Sequence, residues 1–350
     1  MEPLQTLVDA VQYNCDVADA RHARDMTLCT YLLEMRELYR WEKEMPLTAM
    51  PPKEALGRWL TEREARWNGL EESEYRSLPV EDNCLDPFEA RAVNDRLLPR
   101  GLVYGAGYGR FHQPQFFLGR LERREIRHGV EVLVAGREHA RGISAPPAAF
   151  QDGAIVVRQD ALRRWLWEKV ELWGMKKGGG PLAMALNAYG FEADPDGALE
   201  RMTEAESETL ILHELGEALA DAMLGPAWAE MLAGFRRRRA EVLARAVRDN
   251  LADCLSTLPV LLEREAGASL HFYFAHRDGL RRELFPSLTA AYRSWRDAGA
   301  TGALVAAVGA GREHWGNSAR RLLDMTRGDP AAAEAEVEAL LAAEPSPLAL

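Results

Sequence analysis

Apolar positions in the first hundred residues recur at helical spacing. Residues 3–45 read as two helices, the second carrying Leu28, Tyr31, Leu32, Met35, Leu38 and Tyr39 at steps of one and three. Thr27 is placed to cap that helix, and Pro46 ends its pattern. A third helix is expected over residues 53–68, with Leu56, Trp59 and Leu60 turned inward, and a short one over 87–97. The pattern changes at Gly101. Gly101-Leu102-Val103-Tyr104, Gln115-Phe116-Phe117-Leu118-Gly119, Val130-Glu131-Val132-Leu133-Val134 and Gly153-Ala154-Ile155-Val156-Val157-Arg158 are strand-like runs. Turn residues at His128-Gly129, Pro146-Pro147 and Asp152-Gly153 separate them. They predict a small antiparallel sheet of three or four strands. No strand–helix alternation points to a doubly wound fold.

After residue 159 the chain reads as helix throughout. Asp160 is placed to cap a first helix that runs to Trp173, and a flexible Lys176-Lys177-Gly178-Gly179-Gly180 loop follows. Thr203 and Glu206 have capping-box spacing for the helix that carries His213, and Gly225-Pro226 stops it. A long helix over 237–263 is expected to bend near Pro259. Further helices are expected over 268–277, 279–297, 301–326 and 330–342. The expected fold is therefore mainly α, a bundle-like arrangement of many helices with a small antiparallel β-sheet insertion at about residues 101–158. Four regions follow: a helical 1–100, the sheet 101–158, a helical 159–343 that carries the candidate chemistry, and a flexible tail at 344–350.

Composition narrows the function classes. A chain of 350 residues with 47% hydrophobic and 28% charged positions can bury a large core. Its net charge of -11 argues against a duplex nucleic-acid binder, which gains affinity by neutralising phosphates. The Arg236-Arg237-Arg238-Arg239 run is a local exception, read as a solvated or salt-bridging helix start. Cys15, Cys29, Cys84 and Cys254 are scattered, as expected of a reducing compartment. The first residues lack a signal-peptide pattern, and no apolar run reaches the roughly 18 residues of a membrane span. A cytoplasmic protein without nucleic-acid or membrane partners is expected.

The chemistry concentrates in His213-Glu214-Leu215-Gly216-Glu217. Residues four apart on a helix lie nearly one above the other, so His213 and Glu217 can reach one cation. Asp249 and Asp253 have the same spacing on the next long helix, on a stripe shared with Val242, Ala246 and Val260. Carboxylates in such surroundings need a cation, a proton or several donors. Metal ligation is one answer, and pairing with Arg245, Arg248 or another arginine is the other. His271 is an additional candidate ligand, or a core histidine among aromatics; His22 lies near Cys15, Asp16 and Asp19. Gly105-Ala106-Gly107-Tyr108-Gly109-Arg110 fails as a dinucleotide fingerprint because a strand follows it, and the Lys176–Gly180 loop lacks the end of a Walker motif.

The His213–Glu217 run resembles the active-site helix of the zincin metallopeptidases, His-Glu-x-x-His, with Glu217 in place of the second histidine. That resemblance, confined to about a dozen residues, implies a metal site. The runs Thr27–Arg36 and Ala246–Cys254, taken with the His213 run, are similar to an uncharacterised bacterial protein family, which implies no activity. The leading expectation is a metal-dependent hydrolase acting on an unidentified small-molecule or peptide substrate. His213, Glu217, Asp249 and Asp253 would hold a divalent transition metal, zinc first with iron or manganese as alternatives. Glu214 would be the general base acting on metal-bound water. Three alternatives stand beside it: a helical di-metal carboxylate oxidoreductase, a histidine-aspartate-type phosphohydrolase, and a non-enzymatic helical scaffold or partner-binding protein.

Overall fold

The computed structural model describes residues 2–109, 113–151, 153–176, 179–277, 279–328 and 330–342. The tail at 344–350, together with Lys177, Gly178, Asp152 and Arg110 of the motifs above, lies outside them. The chain is mainly α-helical with a small sheet, as expected. It forms two compact units, Met1–Leu172 and Trp173–Leu350.

In the first unit, α1 (Glu2–His22) buries Leu7, Val11, Cys15 and Ala18, a stripe at steps of four, four and three. Thr27 caps α2 (Leu28–Glu42) by accepting from the Thr30 N–H at 3.3 Å. That helix buries Met35, Leu38 and Tyr39, but Leu28 is 71% exposed, so the inward stripe starts later than its sequence pattern. α3 (Lys53–Asn68) has the expected limits and buries Trp59. A two-stranded ribbon, β1 (Leu78–Val80) with β2 (Asn83–Leu85), precedes α4 (Ala90–Leu97).

The main sheet contains β3 (Leu102–Tyr108), β4 (Pro114–Arg127), β5 (Val130–Arg141), β6 (Ala148–Gln151) and β7 (Ala154–Arg158), in the spatial order β3-β4-β5-β7-β6. His128 and Gly129, both at positive φ, make the tight β4–β5 turn. The sheet is mixed rather than wholly antiparallel. The β6–β7 hairpin places β7 beside β5, so β7 runs parallel to it with Val132 opposite Ile155. At Gly105 a Cβ would lie 2.1 Å from the Phe117 ring, so this glycine serves strand packing. The core formed by α1 with Leu78, Val80, Val93, Leu97, Tyr104 and Leu118 joins the regions 1–100 and 101–158, which the sequence pattern separates.

The unit boundary falls within α5 (Gln159–Lys176). The second unit continues with α6 (Pro181–Ala188), α7 (Pro195–Leu224) and α8 (Pro226–Gly234). α7 starts eight residues before Thr203. Asp194 caps it through the Gly197 N–H, and Pro195 takes the first helical position. Thr203 lies inside the helix and bonds back to the Leu199 carbonyl at 2.7 Å, while Glu206 accepts from the Tyr189 hydroxyl at 2.6 Å. The expected capping box is therefore not a cap.

The long helix expected next is α9 (Arg238–Ala252), a π-helical turn at Asp253–Thr257, and α10 (Leu258–Glu263). Pro259 explains the interruption: it has no N–H for the carbonyl four residues back, and its ring crowds that carbonyl. Then come α11 (Gly267–His276), α12 (Gly279–Leu284), α13 (Pro286–Ala298), α14 (Thr301–Gly328) and α15 (Pro330–Ala342). Pro286 divides the single helix expected over 279–297. The core of this unit gathers Leu212, Val247, Leu251, Leu258, Phe285 and Trp315. Among the described residues no helix is long and apolar enough to cross a membrane.

Candidate functional site

Gly216 sets the geometry of the site. A Cβ at this position would lie 2.4 Å from the Ala252 carbonyl oxygen, so α7 and the end of α9 pass each other at a distance only glycine permits. His213 and Glu217 flank Gly216 on α7. Asp249 and Asp253 flank Ala252 across from them, Asp253 opening the π turn. His213 thereby meets Asp253, whereas Asp249 is linked to Glu217 only through Arg248.

They meet as an ion-paired network. His213 Nδ1 is 3.1 Å from Asp253 Oδ1, and His213 Nε2 is 3.4 Å from Glu217 Oε1. Asp253 Oδ2 accepts from the Tyr273 hydroxyl at 2.7 Å and from the Arg281 guanidinium. Glu217 Oε2 accepts from Arg248 Nη2 at 2.8 Å, and the same nitrogen reaches Asp249 Oδ1 at 3.3 Å. Asp221 is 3.5 Å from the other terminal nitrogen of Arg248. The Asp253 side chain is 1% exposed, and those of His213 and Glu217 about a quarter.

The electrostatics follow from these contacts. Burial alone would lower the proton affinity of His213, but hydrogen bonding to Asp253 and Glu217 outweighs it and pushes the pKa up to about 10. Burial would raise Asp253, yet Arg281 and His213 hold it well below the usual carboxylate range. Glu217 is lowered in the same way by His213 and Arg248. Burial raises Glu214, which has no hydrogen-bond partner among the described residues, and burial with the nearby Glu217 charge raises Asp249.

This arrangement does not fit the expected metal shell. Both imidazole nitrogens face carboxylates, and arginines neutralise the carboxylates that were to bind the ion. Among the described residues no three His, Cys, Asp or Glu side chains form a group able to hold a metal. Asp249 turns to Arg248 rather than to His213. The pairing of an aspartate with Arg248 is the arginine alternative stated above, whereas Arg245 pairs with Glu241. His271 stands outside the network, 2.8 Å from the Tyr292 hydroxyl, and His22 pairs with Asp25. Sequence reasoning missed Tyr273 and Arg281. Tyr273 lies in an aromatic run that reads as core, and Arg281 shares no spacing with His213 or Asp253.

Residues 163–344 match a model described as the C-terminal domain of a family of unknown function (DUF6866), and residues 6–158 match the N-terminal domain of that family. The chain belongs to this family. No curated protein and no solved structure matches it. The C-terminal model of DUF6866 spans every residue of the His213 network.

Proposed function

We propose that this chain is a non-enzymatic helical binding protein, in which the His213 network fastens α7 to α9 and the π turn instead of carrying out a reaction. One observation supports the reading most: His213, Glu217 and Asp253 face one another and are further held by Arg248, Arg281 and Tyr273. A metal-ligating imidazole must be neutral, whereas this one keeps its proton up to about 10. A carboxylate as buried as Asp253 has to be paired, and here two cations and a hydroxyl pair it.

A second reading retains the metal-dependent hydrolase. The contact between His213 Nδ1 and Asp253 favours it, because carboxylates commonly orient ligating histidines through their other nitrogen. Glu214 would then be the free acid–base group. Loading an ion would require Arg248 to release Glu217. The oxidoreductase and phosphohydrolase alternatives need the same release.

Elemental analysis of the full chain purified without chelators separates the two readings, with thermal melts taken in added zinc or manganese. The lock predicts no stoichiometric metal and an unchanged midpoint. One ion per chain, lost in His213→Gln, would replace the lock with the metal enzyme.

A further inference from the structure

A second feature of the C-terminal unit is independent of the His213 network in its chemistry. The start of α6, the end of α11, α12 and one face of α13 enclose a cavity of about 410 Å³. Four arginines line it, Arg277, Arg282, Arg293 and Arg296. Among the described residues of the lining there is no carboxylate. In a chain of net charge -11 this is a concentrated patch of the opposite sign.

Three details make it a built site rather than a charged surface. Arg277 is 3% exposed and held rigidly: it donates to Asn250 Oδ1 at 3.1 Å and to the Arg281 carbonyl, and its guanidinium lies over the Phe285 ring. Its Nε, also buried, has no hydrogen-bond partner. Thr289, Arg293 and Arg296 succeed one another at steps of four and three on α13, so all three present to the same side. Like charges at that spacing repel, and Asp297 forks Arg296.

The opposite wall is the beginning of α6. Gly180, at φ +119°, gives no side-chain cap and Pro181 has no N–H, so this eight-residue helix begins with the N–H groups of Leu182 and Ala183 beside the cavity wall. Unsatisfied N–H groups and the positive end of a helix dipole attract oxyanions. The stacked rings of Phe274 and Tyr292, 4.0 Å apart, supply an apolar floor.

We propose that this cavity binds a small organic phosphate with two or more phosphoryl groups. Planar guanidinium forks match phosphate oxygens in pairs, and several forks in one cavity select for more than one phosphoryl group. The volume lies within the range of small-molecule sites and is too confined for a nucleic-acid duplex.

The test is isothermal titration of the full chain at low salt with inorganic phosphate, pyrophosphate and a nucleoside diphosphate, with the unphosphorylated nucleoside as control. Pyrophosphate and the nucleoside diphosphate should bind more tightly than phosphate, and the nucleoside should not bind. A tighter nucleoside diphosphate assigns an organic phosphate, and equal affinity assigns the diphosphate group alone as the determinant. Arg293→Ala with Arg296→Ala, both on exposed side chains and so compatible with folding, should weaken binding by about tenfold or more. Arg293→Lys with Arg296→Lys should restore part of it. The proposal is overturned if neither diphosphate probe binds, or if the double alanine variant binds as tightly as the parent. Metal content plays no part in this test, so its outcome is separate from that of the lock.

Discussion

Replacing His213 by glutamine removes the one titratable cation in the network while keeping a side chain of similar length. The folded protein holds the imidazole proton up to about 10, whereas an unfolded histidine releases it near 6.5. A group raised in the folded state contributes fully below the unfolded value, declines between the two and contributes nothing above the folded one. The His213 contribution should therefore be complete below about pH 6.5 and gone above about pH 10. A tenfold change in proton affinity is worth about 1.4 kcal/mol, so the limiting value approaches 5 kcal/mol. The side chain is 24% exposed, and Asp253 keeps Arg281 and Tyr273 as partners, so about 2–3 kcal/mol should be measurable. The assay is urea unfolding of parent and His213→Gln at pH 6, 8 and 10.5. The stability gap should be widest at pH 6 and nearly closed at 10.5. A gap below about 0.5 kcal/mol, or one independent of pH, would refute the lock, because it is what an ordinary surface substitution produces.

Gly216→Ala should destabilise the C-terminal unit by about 2–3 kcal/mol in the same assay, because the new methyl meets backbone that cannot rotate away; an unchanged unfolding midpoint would show that the helices separate at little cost. Arg281→Met removes the cation nearest Asp253 and should lower stability by about 3 kcal/mol. Its profile has the opposite sign. The Asp253 pKa is depressed in the fold, so its contribution is present above about pH 4 and is lost as the pH falls further. A stability gap for Arg281→Met that does not shrink below pH 4 would contradict that assignment.

Much of the fold was legible in the sequence. Periodic apolar residues placed α2 and α3, Thr27 marked the start of α2, and Pro259 was visible as a bend, whereas the break at Pro286 was not anticipated. The limits that went astray have local causes. Thr203 has the chemistry of a cap, but Asp194-Pro195 upstream starts the helix first, and a hydroxyl inside a helix satisfies itself on the preceding turn. The parallel β5–β7 pairing depends on where a hairpin folds back, which alternation within each strand does not specify.

Spacing also brought out half of the site. A His/Glu and an Asp/Asp pair, each at i, i+4, were picked out on α7 and α9, and His213 meets Asp253, because short-range periodicity fixes which residues share a helix face. Arg248 was named as a possible partner, but the groups that hold Asp253 were not legible. Arg281 and Tyr273 arrive from helices further along the chain, and nothing in the spacing of 213, 249 and 253 indicates them. Without those partners the acidic residues look like metal ligands; with them they are neutralised. Gly216 was visible only as a filler of the His-Glu-x-x-Glu pattern, although it is the residue that lets the two helices approach.

The most direct measurement is the titration of the His213 ring by ¹⁵N-resolved nuclear magnetic resonance, observing both imidazole nitrogens from pH 5 to 11. A protonated ring between two carboxylates should show both nitrogens carrying hydrogen at neutral pH, with a midpoint near 10. A ring that titrates near 6.5, or shows a single neutral tautomer at pH 7, would contradict the lock and return His213 to the role of a ligand.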